Sequence, residues 1–545
     1  MEQERLQSPI ELILDGEHLT PEQVYAVAHS TRVRVQIAPE ARKRMERSRA
    51  WVEQLQQSGR PIVYGINTGF GSKASVSISQ ANLRELQHNL IKSHAAGTGE
   101  PLPIEVVRAA ILLRAQTLVK GYSGIRPRVV ETLLRMLERN VVPWIPAQGS
   151  LGASGDLAPL SHLALVLSKS PQTQAPDWSG KAYWYNETAN KWVLLSGREA
   201  MDRAGIARVV LEAREGLALN NGTQISTALL TLAYYQAGQL VKMADIAMAM
   251  SLEALLGITR AFREEIHRLR PHPGQLATAR NIRRLIQGSQ LVDTHPERVQ
   301  DAYSLRCHPQ VMAGVRDTLD FIRRVLEVEL NATTDNPIIV PDLKEENRAL
   351  SGGNFHAQPI AFAADFLATV LCEVGNIAER RIFRLSDRHL NQGLPSFLCK
   401  NGGLENGLMI AQYTAAALVS ENKSLAHPAS IDSIPTCENQ EDHVSMAPIA
   451  ARKAWQILHN VQKIVAIELL FAAQAIDLRL EEAEKRQQPE KVLGAGTAVA
   501  YQIIRQHVEP LVADRPLYTD IDTLTHLMAK GSILKAVEKR VGVLD

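Results

Sequence analysis

The sequence predicts an all-α protein, an elongated bundle of long helices behind a smaller N-terminal region with one short β-hairpin, and three observations lead there. Pro-free stretches at roughly 224–268, 360–388 and 449–485 hold a helical pattern far beyond the mean helix length of about 11–12 residues. Over 311–330 the apolar residues Val311, Val315, Leu319, Ile322 and Leu326 recur at the spacing of one helix face, while Arg316, Asp317, Asp320, Arg323 and Glu327 fill the other. Strand-like alternation is convincing in one place, KAYWYNETANKWVLL within 170–197, which reads as a hairpin turning near Asn186 to Asn190.

Taken in order, the elements follow from local chemistry. Thr20-Pro21-Glu22-Gln23 is a helix start, with Thr20 as N-cap, Pro21 at the first helical position and Gln23 closing a capping box, so a short helix through Ala28 is expected. Segment 61–75, PIVYGINTGFGSKAS, carries Gly65, Gly69 and Gly71 within seven residues and reads as a mobile loop. Residues 81–138 are helical in pattern, broken at Gly97 to Pro103 and at Gly121 to Pro127. PWIPAQGSLGASGDLAP, at 143–159, is a second Pro/Gly-rich loop feeding a helix whose N-cap candidate is Asp156. The expected division is 1–223, with its loop (61–75) and hairpin insertion (170–197), then 224–490 as the central long-helix bundle and 491–545 as a C-terminal helical region. Long helices of this kind leave apolar stripes that other subunits commonly bury.

Composition narrows the function. Sixty Lys plus Arg against 58 Asp plus Glu, with no long block of one sign, give no footprint for nucleic acid or anionic lipid. A small neutral or zwitterionic ligand fits better. Four cysteines, Cys307, Cys372, Cys399 and Cys437, are far apart without a CxxC pair, which argues against a disulfide framework and a structural zinc site. The N-terminal MEQERLQSPIELIL lacks a basic region followed by a long apolar one, so no secretory signal is expected and the cytoplasm is the expected compartment. The longest uncharged run, Gly216 to Val241, contains Asn220, Asn221, Thr223, Gln224 and Gln236, too polar for a membrane span.

Gly149-Ser150-Leu151-Gly152-Ala153-Ser154-Gly155-Asp156 is open to several readings from its residues alone. A helix cap is the commonest meaning of such a run. A nucleophile elbow needs Gly two residues either side of Ser, and Ser154 has Asp156 after it. A phosphate loop needs GK[ST], which is absent. With its flanks, however, GSLGASGDLAPLSHLAL resembles the signature of the histidine and aromatic amino-acid ammonia-lyases, which cyclise Ala-Ser-Gly into methylidene-imidazolone (MIO). The residue types suit that chemistry: an unsubstituted Gly155 lets its amide nitrogen close on the Ala153 carbonyl, and Ser154 can lose its hydroxyl as water. The start of a helix beside Asp156 would add positive partial charge to the electron-accepting ring.

The resemblance spans about residues 10–515 in several blocks, and what it implies is carried residue by residue. YGINTGFG resembles the active-site lid, making Tyr64 the expected base for the β-proton. A free tyrosine has a pKa of about 10, so the role asks for lowering by positive charge or helix ends. LIKSHAAGTG has the Ser93-His94 form of the histidine enzymes. Asn221 of NNGTQ is expected near the substrate amine and the ring carbonyl, with Asn220 departing from the apolar residue usual beside it. QDAYSLRCHPQVM supplies Gln300, Tyr303 and Arg306, the last expected to clamp the substrate carboxylate through its planar fork. His308 stands where the histidine enzymes usually have Gln. Phe355 of GGNFH is expected against the electrophile, and Glu421 against the imidazole. NQEDHVSM, with Gln440, Glu441 and His443, also matches. Its acidic and His residues, taken as consecutive on one helix, would not share a face, and no metal is expected.

The resemblance therefore implies an ammonia-lyase with an MIO formed autocatalytically from Ala153-Ser154-Gly155 and no external cofactor. L-Histidine, converted to trans-urocanate and ammonia, is the expected substrate. Ala153, Ser154, Gly155, Tyr64, Tyr303 and Glu421 would be catalytic, and His94, Asn221, Gln300, Arg306 and Phe355 would bind substrate. Whether the amine or the aromatic ring first meets the electrophile stays open. Phenylalanine or tyrosine lyase activity and 2,3-aminomutase activity are the alternatives. A homotetramer with active sites shared between subunits is expected.

Overall fold

The computed structural model describes residues 9–172, 174–344, 348–485, 487 and 492–545, and among these it has nineteen α-helices and eleven short strands. The helical class expected from periodicity is the observed one. The long tracts become helices Gln224–Ala254, His308–Glu329, Gln358–Ser386 and Ala447–Lys485. The first is shorter than its pattern suggested: beyond Ala254 the chain breaks into a 3-10 turn, Thr259–Phe262, and the short helix Glu264–Arg268. The end of the central stretch, drawn to 490, falls partly outside the described residues. Packing divides the chain into two units that interleave in sequence: Met1–Leu232 with Arg323–Ala364 and Pro428–Arg452, and Ala233–Ile322 with Asp365–His427 and Lys453–Asp545.

The first unit contains every described strand. Its opening helix, Pro21–His29, has the capping box read from sequence: Gln23 N–H donates to Thr20 Oγ1 at 3.3 Å and Thr20 N–H to Gln23 Oε1 at 3.0 Å. On either side of it run Ile10–Leu14 and Val33–Ile37, paired in parallel with Ile10 opposite Val33. Neither strand was expected, although Val33-Arg34-Val35-Gln36-Ile37 alternates apolar and polar as a half-buried strand does. The expected hairpin is present as Lys181–Asn186 and Lys191–Ser196, with Asn186 opposite Lys191. It is not isolated, because Val141–Pro143 joins Lys181–Asn186 as a third strand.

Helices Leu83–His94, Ile104–Val119 and Pro127–Glu138 break where glycine and proline predicted, and the first break holds strand Thr98–Pro101, paired with Pro146–Gln148. Every residue from Val106 to Val119 is buried, so this helix must satisfy its polar side chains internally. The glycine-rich loop 61–75 is anchored at Ile66, which is fully buried with Trp51, Val52, Leu55 and Leu83.

Among its described residues the second unit has helices joined by loops and no strand. It takes the greater part of Ala447–Lys485, whose Val461, Ile464, Ile467 and Phe471 are fully buried. On His308–Glu329 the predicted face is buried at Val315, Leu319, Ile322 and Leu326, and half-buried at Val311. Gln358–Ser386 is the one described helix long and apolar enough to cross a membrane, with mean hydropathy 1.6, yet 61% of that window is buried in protein.

Candidate active site

The chain turns sharply at 149–156. Ser154 (φ +52°) and Gly155 (φ +78°) both lie in the left-handed region, which costs a non-glycine residue roughly 1–2 kcal/mol. Gly155 N–H returns to the Gly152 carbonyl at 3.2 Å, closing a tight turn, and Asp156 N–H donates to the Gly222 carbonyl at 2.7 Å. Position 155 admits only glycine: a Cβ there would stand 2.2 Å from the Gly222 oxygen. The turn is thus pressed against Asn221-Gly222, and Asn221 Nδ2 donates to the Ser154 carbonyl at 3.2 Å. The other half of that amide, Oδ1, is buried with no partner.

Asp156 occupies the N-cap position of helix Leu157–Leu167 as expected, but its side chain does not cap that helix. It caps the neighbouring one. Its carboxylate accepts from Ile225 N–H and Ser226 N–H at 2.9 Å and from Ser226 Oγ at 2.8 Å, at the start of Gln224–Ala254. Burial pushes its pKa up to about 6 despite these bonds. From the opposite side the fully buried Arg114 donates to the Asn221 carbonyl at 2.9 Å and to Gln224 Oε1 at 2.6 Å. Nothing in sequence marked Arg114. Asn220, the polar departure beside Asn221, turns to helix Leu157–Leu167, donating to Ser161 Oγ at 3.1 Å from full burial.

The serine hydroxyl reveals a carboxylate that sequence reasoning misplaced. Ser154 Oγ donates to Glu441 Oε1 at 2.9 Å, and Thr436 Oγ1 donates to Glu441 Oε2 at 3.2 Å. Residues 440–446 are not helical: after a 3-10 turn, Cys437–Asn439, the chain runs as an irregular loop until Ala447, with Met446 in the left-handed region. That correction matters, because a loop free of helical spacing can aim Glu441 at Ser154 without its sequence neighbours. Glu421 lies in the second unit, exposed on helix Met409–Leu425, and accepts from Gln456 at 3.2 Å and Asn460 at 3.4 Å.

The Glu441 charge also bears on His94 and Tyr64. His94, ending helix Leu83–His94, sits with Nδ1 3.0 Å from Ser93 Oγ. Burial pushes its pKa down, opposed by the Leu90 backbone and the Glu441 charge. Tyr64 is half-buried in the loop, and its hydroxyl accepts from Gly71 N–H at 3.3 Å. A lowered pKa was asked of it. The unit does the reverse: burial pushes the phenol up, Glu441 and Cys437 add to this, and Gly71 and Arg214 oppose it. Phe355 is half-buried beside His356, whose ring stacks on His443 at 5.4 Å.

Gln300, Tyr303 and Arg306 belong to the second unit. Gln300 and Tyr303 are exposed. The Arg306 guanidinium lies over the Tyr303 ring at 4.6 Å, its Nε is buried without a partner, and no carboxylate pairs with it among the described residues. A structural ion pair is therefore not its role here.

A helical chain with a strained Ala-Ser-Gly turn, an amide on the serine carbonyl and a carboxylate on the serine hydroxyl defines a class, and comparison agrees. The chain belongs to the aromatic amino acid lyase family, whose model matches residues 19–506. It is accordingly a carbon–nitrogen lyase that releases ammonia. It is 48% identical to the histidine ammonia-lyase of Caldanaerobacter subterraneus subsp. tengcongensis over 98% of this chain and 99% of that relative. Among solved structures it resembles histidine ammonia-lyase from Trypanosoma cruzi (TM-score 0.86, 41% identity, covering 97% of this chain and 96% of that one). It also resembles tyrosine aminomutase from Streptomyces globisporus (TM-score 0.87, 36% identity, covering 98% and 100%).

Proposed function

We propose that the chain converts L-histidine to trans-urocanate and ammonia through an MIO made from its own Ala153-Ser154-Gly155. The observation that carries the substrate choice is the Glu441 carboxylate held at Ser154, in the unit that also carries His94, an imidazole whose pKa burial lowers against the Glu441 charge. Both suit a substrate imidazole, which donates from one nitrogen and accepts at the other. A phenyl ring would leave them unpaired, at roughly 1–3 kcal/mol for each group.

The residues present fit the ring. Gly155 has no side chain to obstruct closure, and the carbonyl that stays on the ring, that of Ser154, already accepts from Asn221 Nδ2. When formed, the ring supplies an electrophilic methylidene that makes the substrate amine a leaving group. Asn221 draws charge from that carbonyl, and its unpartnered Oδ1 is free to accept from the amine. Tyr64 takes the β-proton. Its raised pKa in this unit means that cationic groups beyond those now around it must lower it in the assembled site. Arg306, with no acidic partner among the described residues, takes the substrate carboxylate, with Gln300, Tyr303 and Phe355 completing the wall. In this reading Glu441 replaces Glu421 as the imidazole-facing carboxylate. The protein works as a cytoplasmic homotetramer whose sites draw on more than one subunit.

The test is a parallel assay of L-histidine, L-phenylalanine and L-tyrosine, following ultraviolet growth of urocanate, cinnamate or coumarate together with ammonia. Histidine should lead by a factor that can reach about 10⁴. Faster turnover of phenylalanine or tyrosine rejects the histidine reading, and β-amino acid accumulating without ammonia would establish a mutase.

A further inference from the structure

Arg306 stands on a single helical turn, Tyr303–Arg306, and one turn cannot hold itself, because helix nucleation is unfavourable. Two braces are visible. Before the turn, the buried Asp301 accepts from Ile258 N–H at 2.6 Å and pairs with Arg298. Within it, the Ser304 carbonyl accepts from Arg381 Nη1 at 3.2 Å. Arg381 is fully buried, its Nε and Nη2 forked on Glu468 at 2.5 and 2.8 Å, and Glu468 Oε1 also takes the Ser251 hydroxyl at 2.8 Å.

The same Nη1 lies 3.3 Å from His308 Nδ1. A guanidinium only donates, so Nδ1 must accept and the imidazole proton sits on Nε2. There it meets Asp245 Oδ1 at 2.9 Å, while Asp245 Oδ2 takes Arg316 at 2.6 Å and Asn281 at 3.0 Å. The set is electrically closed: two guanidinium groups, two carboxylates and one neutral imidazole.

We propose that Arg381 and His308 are positioning residues for substrate recognition: they fix the turn that carries Arg306 and so set how well the enzyme grips the substrate carboxylate. Here His308 acts as a bridge with one donor and one acceptor, and glutamine can reproduce both. This rests on the assignment of Arg306 to the carboxylate.

The test compares two inhibitors of the intact enzyme, imidazolylpropionate and ethylimidazole, which share the ring and differ in the carboxylate. Arg381→Lys keeps the charge on Glu468 but loses the fork, and His308→Leu breaks the bridge. Each should weaken imidazolylpropionate by about tenfold and raise KM for L-histidine with little change in kcat, leaving ethylimidazole within about twofold. His308→Gln should behave as wild type. Arg306→Gln is the control. If it does not separate the inhibitors, the carboxylate assignment falls and the proposal with it. If it does, while Arg381→Lys and His308→Leu weaken both inhibitors equally or neither, the positioning role alone is overturned. That role is overturned as well if His308→Gln is as damaging as His308→Leu.

Discussion

Two buried polar clusters, one in each unit, are built on opposite terms. Around Arg381 every side-chain nitrogen and oxygen of Asp245, His308, Arg381 and Glu468 has a partner. Around Ser154 the backbone is strained, and Asn221 Oδ1, Asn220 Oδ1 and Arg114 Nε are buried with nothing to bind. A buried polar atom without a partner costs on the order of 1–3 kcal/mol, so a fold tolerates several together only where something else is gained. The closed cluster rigidifies; the open one is where chemistry is expected.

The sharpest way to break this contrast is Ser154→Ala. It should leave the melting temperature close to wild type, since a loop hydroxyl contributes little to the core, yet lower turnover by at least about 10³-fold and abolish the near-ultraviolet absorbance of the ring. Turnover surviving in this variant would remove the electrophile from the mechanism. Gly155→Ala attacks the same turn by shape. A Cβ 2.2 Å from the Gly222 oxygen at φ +78° should add strain of about 1–3 kcal/mol, lowering the melting temperature as well as ring absorbance.

The two carboxylates provide a finer comparison. Glu441→Gln should reduce kcat/KM for L-histidine by at least about tenfold, or 1.4 kcal/mol, while Glu421→Gln, altering an exposed group tied to Gln456 and Asn460, should stay within about twofold. Equal losses would return Glu421 to the site.

The smallest effect concerns pH. Burial pushes the His308 pKa down, so the folded protein keeps it neutral where the unfolded chain takes up a proton near 6.5. The unfolded state then binds more protons, and stability falls as pH drops below that value, by up to about 1.4 kcal/mol per pH unit. His308→Gln should flatten the decline in melting temperature between neutral and mildly acid buffer; an unchanged slope would place the acid sensitivity elsewhere.

Features whose cause is local were legible in the sequence. The Thr20 capping box, the long helices, the helix breaks at Gly97 and Gly121 and the 181–196 hairpin all follow from residues within a few positions of one another, and so does the Ala153-Ser154-Gly155 motif. Side-chain partners were settled only by packing in three dimensions. Asp156 reads as a cap for its own helix but serves Gln224–Ala254, because burial at the turn leaves those N–H groups as the nearest donors. Glu441 and Glu421 are both carboxylates the chain offers, and only the non-helical path of 440–446 sets one of them on the serine hydroxyl. Tyr64 takes a role that needs a low pKa, whereas the direction of its shift depends on burial and on charges many residues away. Periodicity and capping are properties of neighbours in sequence, but desolvation and hydrogen-bond pairing are properties of neighbours in space, and a single chain does not encode those one residue at a time.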